Sequence, residues 1–468
     1  MAFRREFAAA LAASAACCGV LDRPAAAETL REAFLEAYAH NPSLNQQRAE
    51  QRVTDEQVPQ AKSGLRPSVG VSLNGVYNRA YNGQSFLTPP ESNNGAAQLT
   101  ITQPLYTGGR TDADVRAAEA SVYAGREGLR ASEAQVLAAV VQAYEDVRRD
   151  VLTVEVWNAD LEFLQKQLDE TRARQKVGDL TKTDVAQAEA QLLDSRGSLA
   201  EAQGQLDIDR AAYAAVVGHQ PGSLAEEAPL VGLPKTIDDA FALVEQNNPS
   251  LNQARRSAES SRAKVDAAKA ANRPTITVQA VLGSDGTLVP AYARAYERTV
   301  EGEVVLNQPL FTGGENESLI RQAKAQENVD RIGIEVARRA AVQSAAQAWG
   351  QMLASQRDVE TRVAEVVASK TELDGQRQEY RAGLRSTLEV LIAEQTWRQA
   401  RITEINARAQ VFLSQVGVLG AVGRLEIRYL APEAEQYDPA KPYHAVENAG
   451  GFPWDGALRR LDRVLPLP

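Results

Sequence analysis

The sequence predicts a mixed α and β fold in which one series of elements occurs twice: short helices, two strands and a long helical hairpin. Two stretches without proline, Leu105 to Gln220 and Leu310 to Ala431, carry apolar residues at alternating steps of three and four. This spacing is typical of long coiled-coil helices. The motif Gln-Pro-Leu-Tyr-Thr-Gly-Gly at 103–109 also returns as Gln-Pro-Leu-Phe-Thr-Gly-Gly at 308–314. We therefore predict an internal duplication.

The two long stretches predict very long helices. The first stripe is Leu137, Val140, Tyr144, Val147, Val151, Val154, Asn158, Leu161, Gln165 and Leu168. The second is Val342, Ala345, Trp349, Met352, Gln356, Val359, Val363, Val366, Lys370 and Leu373. A helix from about Arg110 to Lys176 would be roughly 100 Å long, so it must lie in a bundle, a coiled coil or a tube. Each stretch breaks near one glycine, Gly178 or Gly383, which predicts the turn of a hairpin.

The amino terminus has the features of a secretory signal. Two arginines precede a weakly apolar stretch and a cleavage site at Ala25-Ala26-Ala27, so residues 1–27 are predicted to be a signal peptide. Both cysteines, Cys17 and Cys18, lie within it, which leaves the exported chain without a disulfide. Lipid modification of a cysteine is the alternative, although the preceding residues lack the expected leucine.

Composition and motifs argue against several functions. The net charge of −10 disfavours binding to nucleic acid. The three histidines, His40, His219 and His444, lack ligand-spaced partners, and neither Thr-Gly-Gly motif continues as a phosphate-binding loop. No Gly-x-Ser-x-Gly element occurs. We expect no catalytic residues, no cofactor and no metal site.

Helix starts and strands can be placed in each repeat, with boundaries at 28–235 and 236–422. Capping boxes are predicted at residues 29–32, 43–46, 236–239 and 250–253. Alternating apolar residues then predict strands near 69–73, 97–101, 276–282 and 300–306, joined by loops at Arg79–Gly95 and Gly283–Thr299.

The alternation fits strands of a membrane barrel and equally fits two hairpins of a soluble sheet. Four strands are too few to close a barrel, because the smallest known barrels need about eight. If the strands enter a membrane, several chains must therefore combine to close the barrel.

This order of elements resembles the TolC family of outer membrane efflux proteins over about residues 28–422. The resemblance rests on the motif at both strand-to-helix junctions, and on Val177-Gly178 through Asp184-Val185 with its counterpart Ala382-Gly383 through Glu389-Val390. It implies a homotrimeric outer membrane β-barrel, with four strands per chain, continued by a long α-helical barrel in the periplasm. Residues 423–468 are expected to form an irregular tail rich in proline and glycine.

Glycines mark the strand-to-helix junctions, which are Gly108, Gly109, Gly313 and Gly314. Because glycine has no Cβ, it can adopt the positive φ that a sharp turn from strand to helix requires. Gly109 and Gly314, which directly precede the helices, are expected to be essential in this role. Alanine at Gly108 is expected to matter much less.

The turns of the two hairpins contain the candidate site. Residues 181–184 and 386–389 fit capping boxes that restart a helix. The resemblance adds that these turns form the periplasmic tip, where an adaptor docks on Gly178, Leu180, Thr181, Gly383, Leu384 and Ser386. It also implies a gate at this tip formed by Thr183, Asp184, Tyr380, Arg385 and Glu389. Tyr380 and Arg385 would bond to Thr183 and Asp184 of the other hairpin, and Glu389 would face the lumen. A second acidic residue is expected three positions later, where this chain has Ile392.

The function that the resemblance implies is an exit duct without enzymatic activity, located in the cell outer membrane and extending into the periplasm. Its partners would be outer membrane lipid, a periplasmic adaptor and an inner membrane pump driven by protons or by ATP. Drug efflux and type I protein secretion both fit this duct. An exported trimeric coiled-coil stalk or adhesin without a pore is the alternative.

Overall fold

The computed structural model describes residues 27–79, 91–287 and 296–464. The predicted signal peptide lies outside these residues except for its last position. The first series of elements is α1 (Leu30–His40), α2 (Pro42–Asp55), α3 (Gln57–Lys62), a 3₁₀ turn (Ser63–Leu65), β1 (Ser68–Arg79), β2 (Glu91–Tyr106), α4 (Arg110–Lys176) and α5 (Lys182–Val217).

The second series has the same order of short helices, strands and a long hairpin. It consists of α6 (Ile237–Asn247), α7 (Pro249–Ala270), β3 (Thr275–Thr287), β4 (Tyr296–Asn307), α8 (Glu315–Arg381) and α9 (Thr387–Ala421). Helices α4 and α8 each contain 67 residues. The mixed α and β fold and the two long hairpins predicted from the sequence are confirmed.

The chain divides into two compact units. Among the described residues, the helical unit contains 27–44, 133–241 and 345–436. The sheet unit contains 45–79, 91–132, 242–287, 296–344 and 437–464.

The four strands form one antiparallel sheet in the order β1-β2-β3-β4. Their register aligns apolar residues across all four strands, as in the row Val71, Leu99, Leu282 and Val300. A polar row points to the opposite face, consisting of Ser68, Thr102, Gln279 and Glu303. Because side chains alternate along a strand, this register gives the sheet one apolar and one polar face.

The loops predicted between the strands are too long at their ends. Residues 79, 91–95, 283–287 and 296–299 belong to strands, and the rest of both predicted loops lies outside the described residues. Backbone pairing continues because the polar residues here, such as Asn94 and Asp285, still donate and accept ladder hydrogen bonds.

Two of the predicted helix starts are correct and two are shifted. Thr29 forms the predicted capping box with Glu32, and Thr236 forms one with Asp239. The boxes predicted at residues 43–46 and 250–253 are wrong, because α2 and α7 begin at a proline one residue earlier. Asn41 and Asn248 cap these helices instead: Asn41 Oδ1 accepts hydrogen bonds from the Ser43 and Leu44 amides at 3.0 and 3.2 Å.

The predicted stripes are buried along part of their length. In α4, five stripe positions are buried, namely Leu137, Val140, Tyr144, Val147 and Leu168. The exposed Asn158 also falls on this stripe, whereas Val156, Asp160 and Leu164 are buried beside it. Val363 in α8 is likewise exposed.

Both strand-to-helix junctions turn at two successive glycines with positive φ. The φ angles are 72° and 81° at Gly108 and Gly109, and 66° and 86° at Gly313 and Gly314. Alanine at Gly108 was expected to matter much less than valine at Gly109 and Gly314, but the space at Gly108 is tight. A Cβ there would lie 2.8 Å from Cβ of Arg273, whereas one at Gly313 would meet no described atom within 4 Å.

The carboxyl-terminal tail is more ordered than the sequence suggested. It contains α10 (Ile427–Leu430), α11 (Ala440–Val446) and α12 (Asp455–Val464). Asp462 of α12 accepts hydrogen bonds from the backbone amides of Thr107 and Gly109 at 2.6 and 3.2 Å. This tail therefore fixes the first strand-to-helix junction, and the expectation of an irregular segment is wrong for α10 to α12.

We predict that Gly108→Ala destabilises the protein more than Gly313→Ala does. Both substitutions introduce a side chain at positive φ, which costs about 1 kcal/mol. Only the first also forces Arg273 to move. Thermal unfolding of the two variants, followed by circular dichroism, measures the difference. Equal losses of Tm would show that the contact with Arg273 is relieved without cost.

Candidate functional site

Each hairpin turns at a glycine that ends its long helix. Gly178 has a φ of 90°, and the amide of Asp179 donates to the carbonyl of Arg174 at 3.0 Å. In the second hairpin Gly383 has a φ of 79°, and the Leu384 amide donates to the Glu379 carbonyl at 2.9 Å. These are Schellman motifs, in which a left-handed glycine lets the last carbonyls of a helix find donors.

The next helix starts at once after each turn. Thr181 and Asp184 form a capping box, and so do Ser386 and Glu389. Hydrogen bonds from the side chain and backbone of Thr181 lower the pKa of Asp184. The Ser386 backbone amide, together with Arg385, lowers the pKa of Glu389 to about 2. Both capping boxes were predicted from the sequence and are confirmed.

The gate bonds expected between the hairpins are not formed within the described chain. Arg385 pairs with two glutamates of its own hairpin, at 2.7 Å from Glu379 and 2.8 Å from Glu389. Asp184 directs its carboxylate to Thr181, and Thr183 is exposed. Arg385 and Asp184, which the family resemblance predicted to bond across the two hairpins, are therefore bound to partners within their own hairpins.

Tyr380 links the two hairpins through its ring rather than its hydroxyl. The guanidinium of Arg174, in the last turn of α4, lies 5.0 Å from the centre of the Tyr380 ring. This is within the range of a cation–π contact. Tyr380 is only 4% exposed, and its hydroxyl has no hydrogen-bond partner among the described residues.

The residues expected to dock an adaptor lie at the turns. Gly178, Thr181, Gly383 and Ser386 are exposed and Leu180 is half-buried. Leu384 has 76% of its surface exposed, and Val177 has 75%. Two large apolar side chains are thus presented to solvent, one from each turn.

A buried ion pair between the hairpins was missed by the sequence analysis. Arg398 of α9 donates to Asp160 of α4 at 2.8 Å, and the Ser195 hydroxyl donates to the same carboxylate at 2.6 Å. The Arg398 guanidinium also lies 4.4 Å from the ring centre of Trp157. Removing one partner of such a pair leaves an uncompensated buried charge, so this contact helps to hold the two hairpins together.

A second buried carboxylate, Glu394, lies on the same face of α9 as Arg398. Glu394 pairs with Arg377 at 2.9 Å, and burial raises the pKa of Glu394 to about 7 despite this partner. The spacing of residues in α9 could have revealed from the sequence that Glu394 and Arg398 are buried. Val390, Glu394 and Arg398 recur every four residues, so the charged residues share a face with a buried valine.

The described residues contain no group of three or more histidine, cysteine, aspartate or glutamate side chains placed to hold a metal ion. Among them, no helix combines the length and the apolar character needed to cross a membrane.

Comparison with known proteins places this architecture among outer membrane proteins. The sequence profile of the family described as "Outer membrane efflux protein" matches the chain twice, at residues 35–219 and 241–424. The chain is 31% identical to the outer membrane efflux protein BepC of Brucella suis over 424 residues, which cover 91% of each protein. It is 25% identical to the outer membrane protein TolC of Escherichia coli over 414 residues, 85% of this chain and 83% of TolC.

A solved structure supports the fold independently. The CmeC outer membrane channel of Campylobacter jejuni superposes with a TM-score of 0.74, although only 16% of the residues are identical. The match covers 89% of each chain. At this identity the likeness shows the fold alone.

We predict that Glu394→Gln weakens the pH dependence of stability. The folded protein binds the Glu394 proton more tightly than the unfolded chain, whose pKa is near 4.5. Stabilisation by this proton is present below that value and is lost as the pH rises through about 7. Wild-type Tm should therefore fall between pH 5 and pH 8. The variant should lose part of this slope, since Glu145 and Asp150 also have raised pKa values.

Glu389→Gln is the matched control, because it makes the same change on the same helix at a carboxylate whose pKa is lowered. It should leave the slope between pH 5 and pH 8 unchanged. An unchanged slope in Glu394→Gln would contradict the prediction.

Proposed function

We propose that this chain, which belongs to the outer membrane efflux protein family, is the exit duct of a tripartite export system. As a member of this family it is an outer membrane channel protein that extends into the periplasm. In this role it conducts cargo passively. An inner membrane pump, driven by protons or by ATP, supplies the energy, and a periplasmic adaptor joins the pump to the duct.

The observation that carries this proposal is the two-faced sheet. Val71 and Val300, on the two outer strands, are 71% and 80% exposed, and both belong to the apolar row. An apolar face of this extent is unfavourable in water but is well accommodated by lipid acyl chains. The polar face, with Gln279 and Glu303, suits a water-filled lumen.

The two outer edges of the sheet support a homotrimer. Strands β1 and β4 each have one strand neighbour within the described sheet. Unpaired amides and carbonyls are not tolerated in lipid, so each edge needs another strand. We propose that β4 of one copy pairs with β1 of the next, and that three copies close the barrel, since four strands alone cannot.

The hairpin turns are the proposed docking site of the adaptor. Val177 and Leu384 offer exposed apolar side chains at a place where each chain presents two turns. Buried apolar contacts of this kind contribute most of the binding energy in protein interfaces. The cargo is selected by the pump, so drug efflux and type I secretion both remain within this proposal.

The turns also form the proposed gate, composed of Thr183, Asp184, Tyr380, Arg385 and Glu389. Within a chain, the Tyr380 ring beneath Arg174 holds the second hairpin to the first. Arg385 is exposed, so in a trimer its guanidinium can exchange a local glutamate for Thr183 or Asp184 of a neighbouring copy. Charge-assisted bonds of this kind would hold the narrow tip closed.

The duct is tested by extraction and electrical recording. Protein extracted from outer membranes in detergent should have a mass of about three times that of the mature chain. Inserted into planar bilayers, it should conduct ions in discrete steps. A stable monomer that retains its full strand content, or an assembled trimer that does not conduct, would overturn the proposal.

For the gate, we predict that Tyr380→Leu combined with Arg385→Ser raises single-channel conductance severalfold. Leucine keeps apolar volume but removes the ring beneath Arg174, and serine removes the guanidinium. The Tm should change little, because the buried contacts of the long helices remain.

Tyr380→Phe is the matched control, since phenylalanine retains the cation–π contact and the hydroxyl has no partner in the described chain. Arg381→Ser, at the exposed end of the same helix, controls for loss of positive charge. Unchanged conductance in the correctly assembled double variant would show that these residues do not gate the channel.

A further inference from the structure

The carboxyl-terminal segment forms a cavity that the duct itself does not require. This cavity of about 500 Å³ lies between the end of α3, the 3₁₀ turn and α12, all within the sheet unit. Asp462 ties α12 to the backbone of Thr107 and Gly109, directly after the last residue of β2. The cavity therefore lies at the end of the sheet where the strands give way to helices.

The lining of this cavity is cationic. It includes three basic side chains, Lys62, Arg66 and Arg459, and one carboxylate, Asp455. Arg66 pairs with Asp455 at 3.0 Å, which neutralises one positive charge. Burial and then the charge of Arg459 lower the pKa of Lys62, whereas the carboxylates of Glu447 and Glu119 act in the opposite direction.

Two of the basic side chains, Arg459 and Lys62, lack a close carboxylate partner within the described chain. Arg459 lies 3.7 Å from Asp112, a loose ion pair, and its buried Nε has no hydrogen-bond partner among the described residues. Lys62 donates to the carbonyl of Glu447 and to Asn448, which are neutral acceptors. The lining itself thus carries more cations than carboxylates, with a spare donor at Arg459, and such a lining suits a phosphate group.

An apolar stripe borders the cavity. The rings of Phe452 and Trp454 stack with centres 5.2 Å apart, and they are 41% and 47% exposed. Phe452 also lines the cavity, and the exposed Leu461 of α12 lies about two helical turns after Trp454, which directly precedes α12. The acids of α12 face inward, where Asp455 and Asp462 are engaged, whereas Arg460 and Arg463 are exposed. Helices with exposed arginine beside tryptophan, phenylalanine and leucine characteristically lie in a membrane interface.

We propose that this cavity binds the phosphate headgroup of an anionic phospholipid from the periplasmic leaflet, with the acyl chains lying along Phe452, Trp454 and Leu461. The choice of leaflet rests on the proposed function, which places the junctions between strands and helices at the periplasmic boundary of the outer membrane. Anionic headgroups match the charge of the cavity, and the aromatic pair matches the depth of the interface. The bound lipid would anchor α12, and through Asp462 the first junction, to the membrane.

Fluorescence quenching in vesicles tests this proposal on the full-length protein. The chain has four tryptophans, so the signal of Trp454 is taken as the difference between wild type and Trp454→Phe. We expect phosphatidylglycerol brominated in its acyl chains to quench this signal more strongly than brominated phosphatidylcholine. Lys62→Gln combined with Arg459→Gln should abolish the preference.

Arg110→Gln combined with Lys264→Gln is the matched control, because these two basic residues line another cavity of about 500 Å³ in the same unit. This variant should keep the preference for phosphatidylglycerol. Inorganic phosphate should not displace the lipid; displacement at equal charge concentration would indicate a site for free anions and overturn the assignment to a lipid. If the Lys62→Gln and Arg459→Gln variant does not assemble, the comparison of the two lipids with the wild-type protein still tests the lipid preference.

Equal quenching by both lipids, or no quenching of Trp454, would overturn the proposal. So would disulfide-linked dimers of Leu461→Cys within the assembled protein, because they would show that a second copy covers the stripe. Conductance is recorded from the same preparations. A conducting channel without lipid preference refutes the lipid site alone, whereas a preparation that does not conduct refutes the proposed function.

Discussion

The backbone turn at two successive left-handed glycines is the constraint on which the rest of this structure depends. With φ angles of 72° and 81° at Gly108 and Gly109, the chain leaves a strand at Tyr106 and enters a helix at Arg110 without a flexible linker. The phase of the helix is then fixed by the register of the strand. Because side chains repeat every two residues in a strand and every 3.6 in a helix, a single residue inserted here would rotate the whole of α4 by about 100°.

The sheet and the long helices place their apolar side chains in different ways. Pairing in the sheet sets Val71, Leu99 and Leu282 on one face, and a slip of one residue would move them all to the other. In the helical unit the long helices bury apolar side chains against one another, as in the cluster of Leu164, Leu168, Ala188, Leu192 and Leu391. In the proposed barrel, the apolar sheet face would contact lipid while the helices are stabilised by packing against one another.

The sequence predicted best the features that local chemistry determines. The turns at Gly178 and Gly383 and the capping boxes that follow them depend on residues within one helical turn. It failed where neighbours compete: Asn41 caps α2 in place of Ser43, because Pro42 already fits the first helical position. It also could not show contacts between distant residues, such as Asp160 with Arg398, 238 positions later. Periodicity identifies a buried face but not the partner across it.

The pairing of acidic residues near the turns bears on how the proposed duct would conduct without retaining its cargo. Glu389, which the family resemblance predicts to face the lumen, is bound by Arg385 and by the Ser386 amide, and Ile392 adds no charge near it. The carboxylate with the raised pKa, Glu394, is instead buried against Arg377. Glu389 is thus matched by a neighbouring cation, and the carboxylate with the raised pKa is kept between helices. In the proposed duct, a carboxylate paired in this way binds a passing cation weakly, which suits a passive route because tight binding in a channel slows release.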